Sequence, residues 1–232
     1  MGFLQDNPVL KVTQEERLKL QKLRPELNFF PDPWESEEDF WNRPQAAQAV
    51  SEFMHSMTKF LSVLGEDPTR NGLIESPFRF AKAMMEYTQG YQQDPREILG
   101  KSFDVECDEL ILVKDIPFNS LCEHHFAPFF GVAHIAYIPE NNVITGLSKF
   151  ARLTDAFAQR LQVQERLTAE IANTIEEVLQ PKGVAVIVEA THYCMCGRGV
   201  KKPGASTTTS AMRGVFREKD AARAELMQLI KG

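Results

Sequence analysis

Gly131-Val132-Ala133-His134-Ile135-Ala136-Tyr137-Ile138 is the stretch that decides the fold class. Val132, His134, Ala136 and Ile138 fall on one side of a period-two repeat, with Ala133, Ile135 and Tyr137 on the other, as in a β-strand. Upstream, Leu110-Ile111-Leu112-Val113 is short and rich in β-branched residues, and reads as another strand. Downstream the spacing turns helical. Ser148 caps a helix with the stripe Phe150, Leu153, Phe157 and Leu161, and a second helix follows with Leu167, Ile171, Ile175 and Val178. Residues 183–189 and 207–216 return to strands, and residues 220–230 close the chain as an amphipathic helix. Strands joined as hairpins or through helix pairs indicate an α+β class.

Before the strands the signal is helical. Ala46, Val50, Phe53, Met57, Phe60, Leu61 and Leu64 recur at three- and four-residue steps, and Gly65 stops that helix. Asp67-Pro68 and Asn71-Gly72 mark turns. Ser76-Pro77, a cap followed by Pro at the first helical position, opens a helix running to about Thr88. Arg79 and Lys82 lie three apart on it and share a face. Residues 1–45 read as a proline-rich arm. Residues 13–23 are expected to form a short charged helix, with Thr13 as cap and Glu16 three residues on. Pro25, Pro31, Pro33 and Pro44 then interrupt the segment, and the acidic patch at residues 35–39 is a solvated face. The expected division is an arm (1–45), a helical region (46–105) and an α+β body (106–232).

Composition narrows the function. The chain has 232 residues, enough for a large core, and 43% hydrophobic with 25% charged residues is ordinary for a soluble globular protein. A formal net charge of -6 leaves no basic excess to displace counterions, which argues against a general nucleic-acid binder. No apolar run approaches the length of a membrane span, and the residues after Met1 turn polar too soon for a signal peptide. Four irregularly spaced cysteines do not form a disulfide framework. The expected location is the cytoplasm.

The chemistry concentrates in Leu121-Cys122-Glu123-His124-His125-Phe126, in the connection between two strands. Cys122 and His125, three apart, can point one way in a turn, and both are transition-metal ligands. A second concentration, His192-Tyr193-Cys194-Met195-Cys196-Gly197-Arg198, follows the strand at residues 183–189. Two half-sites at separate sheet edges can converge on one ion, and sulfur with imidazole selects zinc over magnesium or calcium. Three protein ligands leave a position for water and a catalytic site, whereas Cys122, His125, Cys194 and Cys196 together would close a structural one. Composition does not choose between them. His134, inside a strand, reads as a packed or edge histidine.

CEHH (122–125), GLSK (146–149), RLQVQERLT (160–168) and HYCMCGRGV (192–200) resemble the signature blocks of the GTP cyclohydrolase I family. DPTRNGL (67–73), SPFRFAK (76–82) and AYIP (136–139) extend the likeness over about residues 46–231, in the family's order and spacing. The resemblance implies a zinc-dependent enzyme that converts GTP and water to 7,8-dihydroneopterin triphosphate and formate. It implies Cys122, His125 and Cys194 as zinc ligands, with Cys196 a bystander, and His124 and His192 as the proton-transfer pair. Ser148 would assist the ribose steps. Ser148, Lys149, Arg152, Arg198, Arg79 and Lys82 would hold the triphosphate and ribose, and Gln164 and Glu165 the guanine. It also implies a tunnelling fold, with two helices on an antiparallel four-stranded sheet preceded by N-terminal helices. The assembly would be a ring-shaped homodecamer with sites between subunits.

These roles are physically apt. GTP carries about four negative charges, so a chain of net charge -6 must concentrate its cations locally. A helix start at Ser148, Lys149 and Arg152 offers free N–H groups to anions, and arginine adds bidentate contacts. Two other readings are a non-catalytic protein with a closed Cys3His zinc site, and a tunnelling-fold relative with a different pterin or deazaguanine outcome.

Overall fold

The computed structural model describes residues 44–100 and 102–231, so the expected helix at 13–23 and the acidic patch at 35–39 lie outside the described residues. The chain divides into two compact units, Met1–Ala81 and Lys82–Gly232. In the first, helix α1 (Pro44–Val63) bears out only part of the expected stripe: Leu61 is buried and Val50, Phe53 and Met57 are half-buried, whereas Phe60 and Leu64 are exposed and Leu64 lies beyond the helix end. Gly65 ends the following turn with φ 86°, a backbone that favours glycine. Phe53 of α1 stacks on Phe80 with ring centroids 5.8 Å apart. Helix α2 (Ser76–Tyr87) begins in this unit. Its Ser76 is no N-cap, because the hydroxyl donates back to the Gly72 carbonyl at 3.3 Å.

In the second unit a 3-10 turn (Gln89–Gln92) leads to helix α3 (Pro95–Leu99). The Asp94 carboxylate caps α3 by accepting from the Arg96 N–H at 2.8 Å, and Pro95 takes a position where a missing donor costs nothing. Strand β1 (Ser102–Asp104) pairs antiparallel with β4 (Val143–Thr145) in a small separate sheet. The main sheet contains β2 (Ile111–Cys122), β3 (Pro128–Ile138), β6 (Gly183–His192) and β7 (Thr207–Gly214), each antiparallel to its neighbour in that order.

A two-residue strand, β5 (Leu161–Gln162), adds to the β2 edge in parallel, so the sheet is five-stranded and mixed, not the expected four-stranded antiparallel one. The cause lies in helix α4 (Ser148–Ala158), which stops before Leu161. Gln159 leaves the helical backbone with ψ 53°, and the Leu161 N–H goes to the Tyr91 hydroxyl at 3.1 Å. Ser148 itself does not cap α4 through its side chain; the residue preceding the helix is Leu147.

Strand β2 is three times longer than the run at residues 110–113 suggested. A bulge between Val113 and Ile116 breaks its alternation, with Asp115 at φ 58°. The Asp115 N–H donates to Nδ1 of His134 at 3.2 Å, and that histidine is buried within β3 as a packed strand residue. Strand β7 ends at Gly214 rather than Phe216. Gly214 has φ 53°, and a Cβ there would lie 2.3 Å from the Lys182 carbonyl oxygen, so the chain turns into α7 (Val215–Glu218).

One sheet face packs on α4 and α5 (Gln164–Leu179). Phe150, Leu153, Phe157, Leu167, Ile171 and Ile175 from the helices meet Phe118, Ile135, Tyr137, Val184, Val186 and Val188 from the strands. Each buried aliphatic or Phe side chain contributes about 1.5–3 kcal/mol of transfer free energy. The other face carries Ala136, Ala185, Phe216 and Leu226, the last from α8 (Asp220–Lys231). This sandwich fixes the strands, and their ends carry the chemistry.

Candidate active site

The register of β3 assembles the site. Its start pairs Pro128 with Leu121 of β2 on one side and Phe129 with His192 of β6 on the other. The β2–β3 turn and the end of β6 are therefore neighbours. Cys122 is the last residue of β2; its carbonyl accepts from the N–H groups of His125 (3.3 Å) and Phe126 (2.9 Å), and its N–H donates to Ala127 (2.8 Å). That tight turn brings His125 back over Cys122. Beyond His192 a single helical turn, α6 (Tyr193–Cys196), presents Cys194.

Ligand atoms of Cys122, His125 and Cys194 all lie within 4.8 Å of one another. Cys122 Sγ is 3.8 Å from His125 Nδ1, close to the about 3.5–3.8 Å edge of a tetrahedron with zinc–sulfur and zinc–nitrogen bonds of ordinary length. Nδ1 of His124 is also 3.8 Å from that sulfur, but His124 does not join the three-residue group. Two thiols and one imidazole form a donor set that fits zinc. Burial, and then the neighbouring Cys122 thiol, push the Cys194 thiol above its ordinary range. Cys196 points its sulfur at the Lys202 carbonyl (3.6 Å), and among the described residues the group has three members, Cys122, His125 and Cys194.

His192 stands beside this group in a firm setting. Its ring stacks on the fully buried Phe129, with centroids 4.7 Å apart and planes within 2°. Its Nε2 meets Gln164 Oε1 at 2.7 Å. Partial burial holds the imidazole below its usual pKa, and the Glu165 carboxylate opposes that shift. Gln164 is itself buried and fully engaged inside the protein, whereas Glu165, the next residue at the start of α5, is exposed.

The remaining residues are placed unevenly. Arg198 reaches the cluster, with Nη1 3.2 Å from His125 Nε2. Exposed His124 has Nε2 3.9 Å from the Glu123 carboxylate. Ser148, Lys149 and Arg152 occupy the first turn and a half of α4, and no hydrogen bond or ion pair among the described residues links them to the Cys/His group. Arg79 lies in the first unit, ion-paired with Glu75 at an exposed position, and Lys82 opens the second.

Three supporting residues are not singled out by the sequence pattern. Phe129 lies within an apolar run. Glu123 and Arg166 form an ion pair at 2.6 Å, and Arg166 also donates to Gln162 Oε1 (2.8 Å) and the Leu161 carbonyl (2.7 Å), tying the turn to β5. The four-residue spacing of Gln162 and Arg166 across a helix start was the available signal.

Fold and site together define an α+β protein whose hairpin ends gather a Cys2His group suited to zinc. Residues 53–231 match the family model for GTP cyclohydrolase I. GTP cyclohydrolase 1 of Bacillus mycoides (strain KBAB4) is 52% identical over 182 residues, covering 78% of this chain and 96% of the relative. GTP cyclohydrolase 1 of Bacillus cereus (strain B4264) matches with the same identity and coverage. Among solved structures, an archaeosine synthase QueF-Like in the apo form covers 45% of this chain and 93% of its own, at 19% identity and a TM-score of 0.37. The chain belongs to the GTP cyclohydrolase I family.

Proposed function

We propose that the chain converts GTP and water to 7,8-dihydroneopterin triphosphate and formate at the Cys122–His125–Cys194 group. The observation that carries this reading is convergence: two hairpin ends bring those ligands within 4.8 Å of one another, beside a histidine held by a ring stack and a hydrogen bond. When bound there, zinc supplies Lewis acidity and a coordination position open to water.

The chain's own residues do the rest. His192 and His124 transfer protons to and from the purine and ribose. The exposed Glu165 carboxylate accepts from the guanine ring N–H and amino group, and rejects adenine because that base would leave polar groups unpaired. Ser148 assists the ribose rearrangement. Lys149 and Arg152 hold phosphate oxygens with the N–H groups of the first turn of α4. Arg198, Arg79 and Lys82 supply further positive charge to the triphosphate.

The proposal includes the tunnelling fold and a homodecameric ring with sites between subunits. Phe126, Leu147 and Tyr193, all more than half exposed around the site residues, support a covering neighbour. Residues 106–232 would be the catalytic domain, 46–105 its helical region and 1–45 an arm. No described helix is long and apolar enough to cross a membrane, and a cytoplasmic location is proposed. The closed Cys3His alternative is disfavoured by the Cys196 sulfur, which is directed at the Lys202 carbonyl.

GTP turnover by the purified protein tests the reading, with formate and oxidised-pterin fluorescence followed before and after chelation. Both products, lost on chelation and restored by zinc, are expected. Formate without pterin would restrict the activity to ring opening, and neither product from zinc-loaded protein would refute the proposal.

A further inference from the structure

We propose that Gln164 is a positioning residue that fixes the tautomer and ring orientation of His192, rather than a reader of the guanine base. The inference rests on the function proposed above for the role of His192, but not for the geometry. Gln164 is 1% exposed. Its side-chain nitrogen lies 2.9 Å from the Val188 carbonyl, 2.9 Å from the Thr207 carbonyl and 3.1 Å from the Thr209 hydroxyl. Turning the amide over would set its oxygen against two carbonyl oxygens that can only accept, so the amide has one allowed orientation.

Two hydroxyls close the arrangement. Thr168 lies one helical turn on and donates to the Gln164 main-chain carbonyl at 2.7 Å. Its oxygen must therefore accept from Thr209, 2.6 Å away, which leaves the Thr209 lone pairs facing the Gln164 nitrogen. Every donor in the ring has an acceptor. The Gln164 oxygen is consequently fixed as the acceptor 2.7 Å from His192 Nε2, and that ring nitrogen must carry hydrogen.

A neutral His192 therefore has its hydrogen on Nε2, committed to Gln164, and its lone pair on Nδ1. The stack on Phe129 sets the ring plane, and Gln164 sets its rotation within that plane. Both anchors come from the protein core, so His192 is oriented before any ligand arrives. Such preorganisation is what a proton-transfer group needs, since it must lie within hydrogen-bond reach of the atom it serves.

The first test needs no variant. In zinc-loaded, full-length protein with 15N-labelled histidine, two-bond proton–nitrogen correlations identify the protonated ring nitrogen of His192. The signal is assigned by its loss in His192→Asn. Hydrogen on Nε2 is expected, and a neutral ring with hydrogen on Nδ1 would overturn the proposal whether or not the protein turns over GTP. Gln164→Leu then tests the role. A folded variant should show mixed tautomers and a kcat lower by about a hundredfold, with KM for GTP changed less than threefold. Retention of the single Nε2–H form, or a raised KM with unchanged kcat, would overturn the positioning role. An inactive wild type with the Nε2–H tautomer would instead defeat the proposed function while sustaining the geometry.

Discussion

Replacing Phe129 separates two duties that one ring performs. It is fully buried, stacks on His192 at 4.7 Å, and meets Phe118 edge-on at 5.9 Å. Phe129→Leu keeps most of the apolar volume and gives up both ring contacts. At about 0.5–1.5 kcal/mol each, the loss is about 1–3 kcal/mol. For a compact unit the size of residues 82–232, that lowers the melting temperature by about 2–12 °C. Phe129→Ala also opens a cavity and should cost about 3–5 kcal/mol. Kinetically, Phe129→Leu leaves the Gln164 hydrogen bond but frees the His192 ring plane. The kcat for GTP should fall about ten- to a hundredfold, within the range for proton transfer, with KM changed less than twofold. Thermal melts at fixed protein and zinc concentrations, with steady-state kinetics on the same samples, provide the assay. A lower melting temperature with unchanged kcat would refute the claim that the stack serves His192. A large rise in KM would show instead that Phe129 shapes ligand binding.

Metal content separates the ligands: Cys122→Ala and Cys194→Ala should lose zinc by elemental analysis, while Cys196→Ala keeps one ion per chain. Loss of the ion from Cys196→Ala would restore the closed-site reading. Glu165→Gln removes charge-assisted acceptance worth about 1.5–3 kcal/mol, so kcat/KM for GTP should fall about 10- to 150-fold; a change under threefold would remove Glu165 from base recognition. Gly131→Ala would place a Cβ 1.8 Å from the Glu189 carbonyl oxygen and force β3 from β6, the pairing that aligns Phe129 with His192. It should abolish soluble folded protein or lower the melting temperature by more than about 10 °C, and a wild-type melt would contradict the register.

The fold was legible where one periodicity dominated. The stripes of α4 and α5 stand out because each faces one core, and residues 131–138 and 183–189 because their apolar and β-branched residues pack on both faces of the sheet. Strand β2 does not. Lys114 and Asp115 sit at a bulge and Pro117 interrupts the pattern, so only its first residues read as a strand. β5 escaped for another reason. It is two residues long and exists because the β2 edge accepts it, a tertiary fact with no local period. Ser76 and Ser148 show how a cap inferred from residue type can fail: both stand at helix starts, yet neither hydroxyl caps an N–H.

The site divides along similar lines. Cys122 and His125 could be paired because a turn brings i and i+3 together, a local geometry. Bringing the second half-site to them depends on β3 lying between β2 and β6; its His/Cys content suggests the convergence, and the choice of Cys194 over Cys196 comes from the resemblance. The ligand count turned on Cys196, whose sulfur is directed away by a carbonyl only six residues along the chain. Gln164 and Glu165 show the limit most sharply. The resemblance gives them as one guanine-binding pair, but consecutive residues at a helix start lie about 100° apart around its axis. One is therefore driven into the seam between α5 and the sheet, where three acceptors wait for an amide nitrogen. The other is left at the surface. A carboxylate buried in the first position would face two carbonyl oxygens, and an amide exposed in the second would forgo the charge that the proposed guanine contact uses. Each residue type thus fits only the place it occupies.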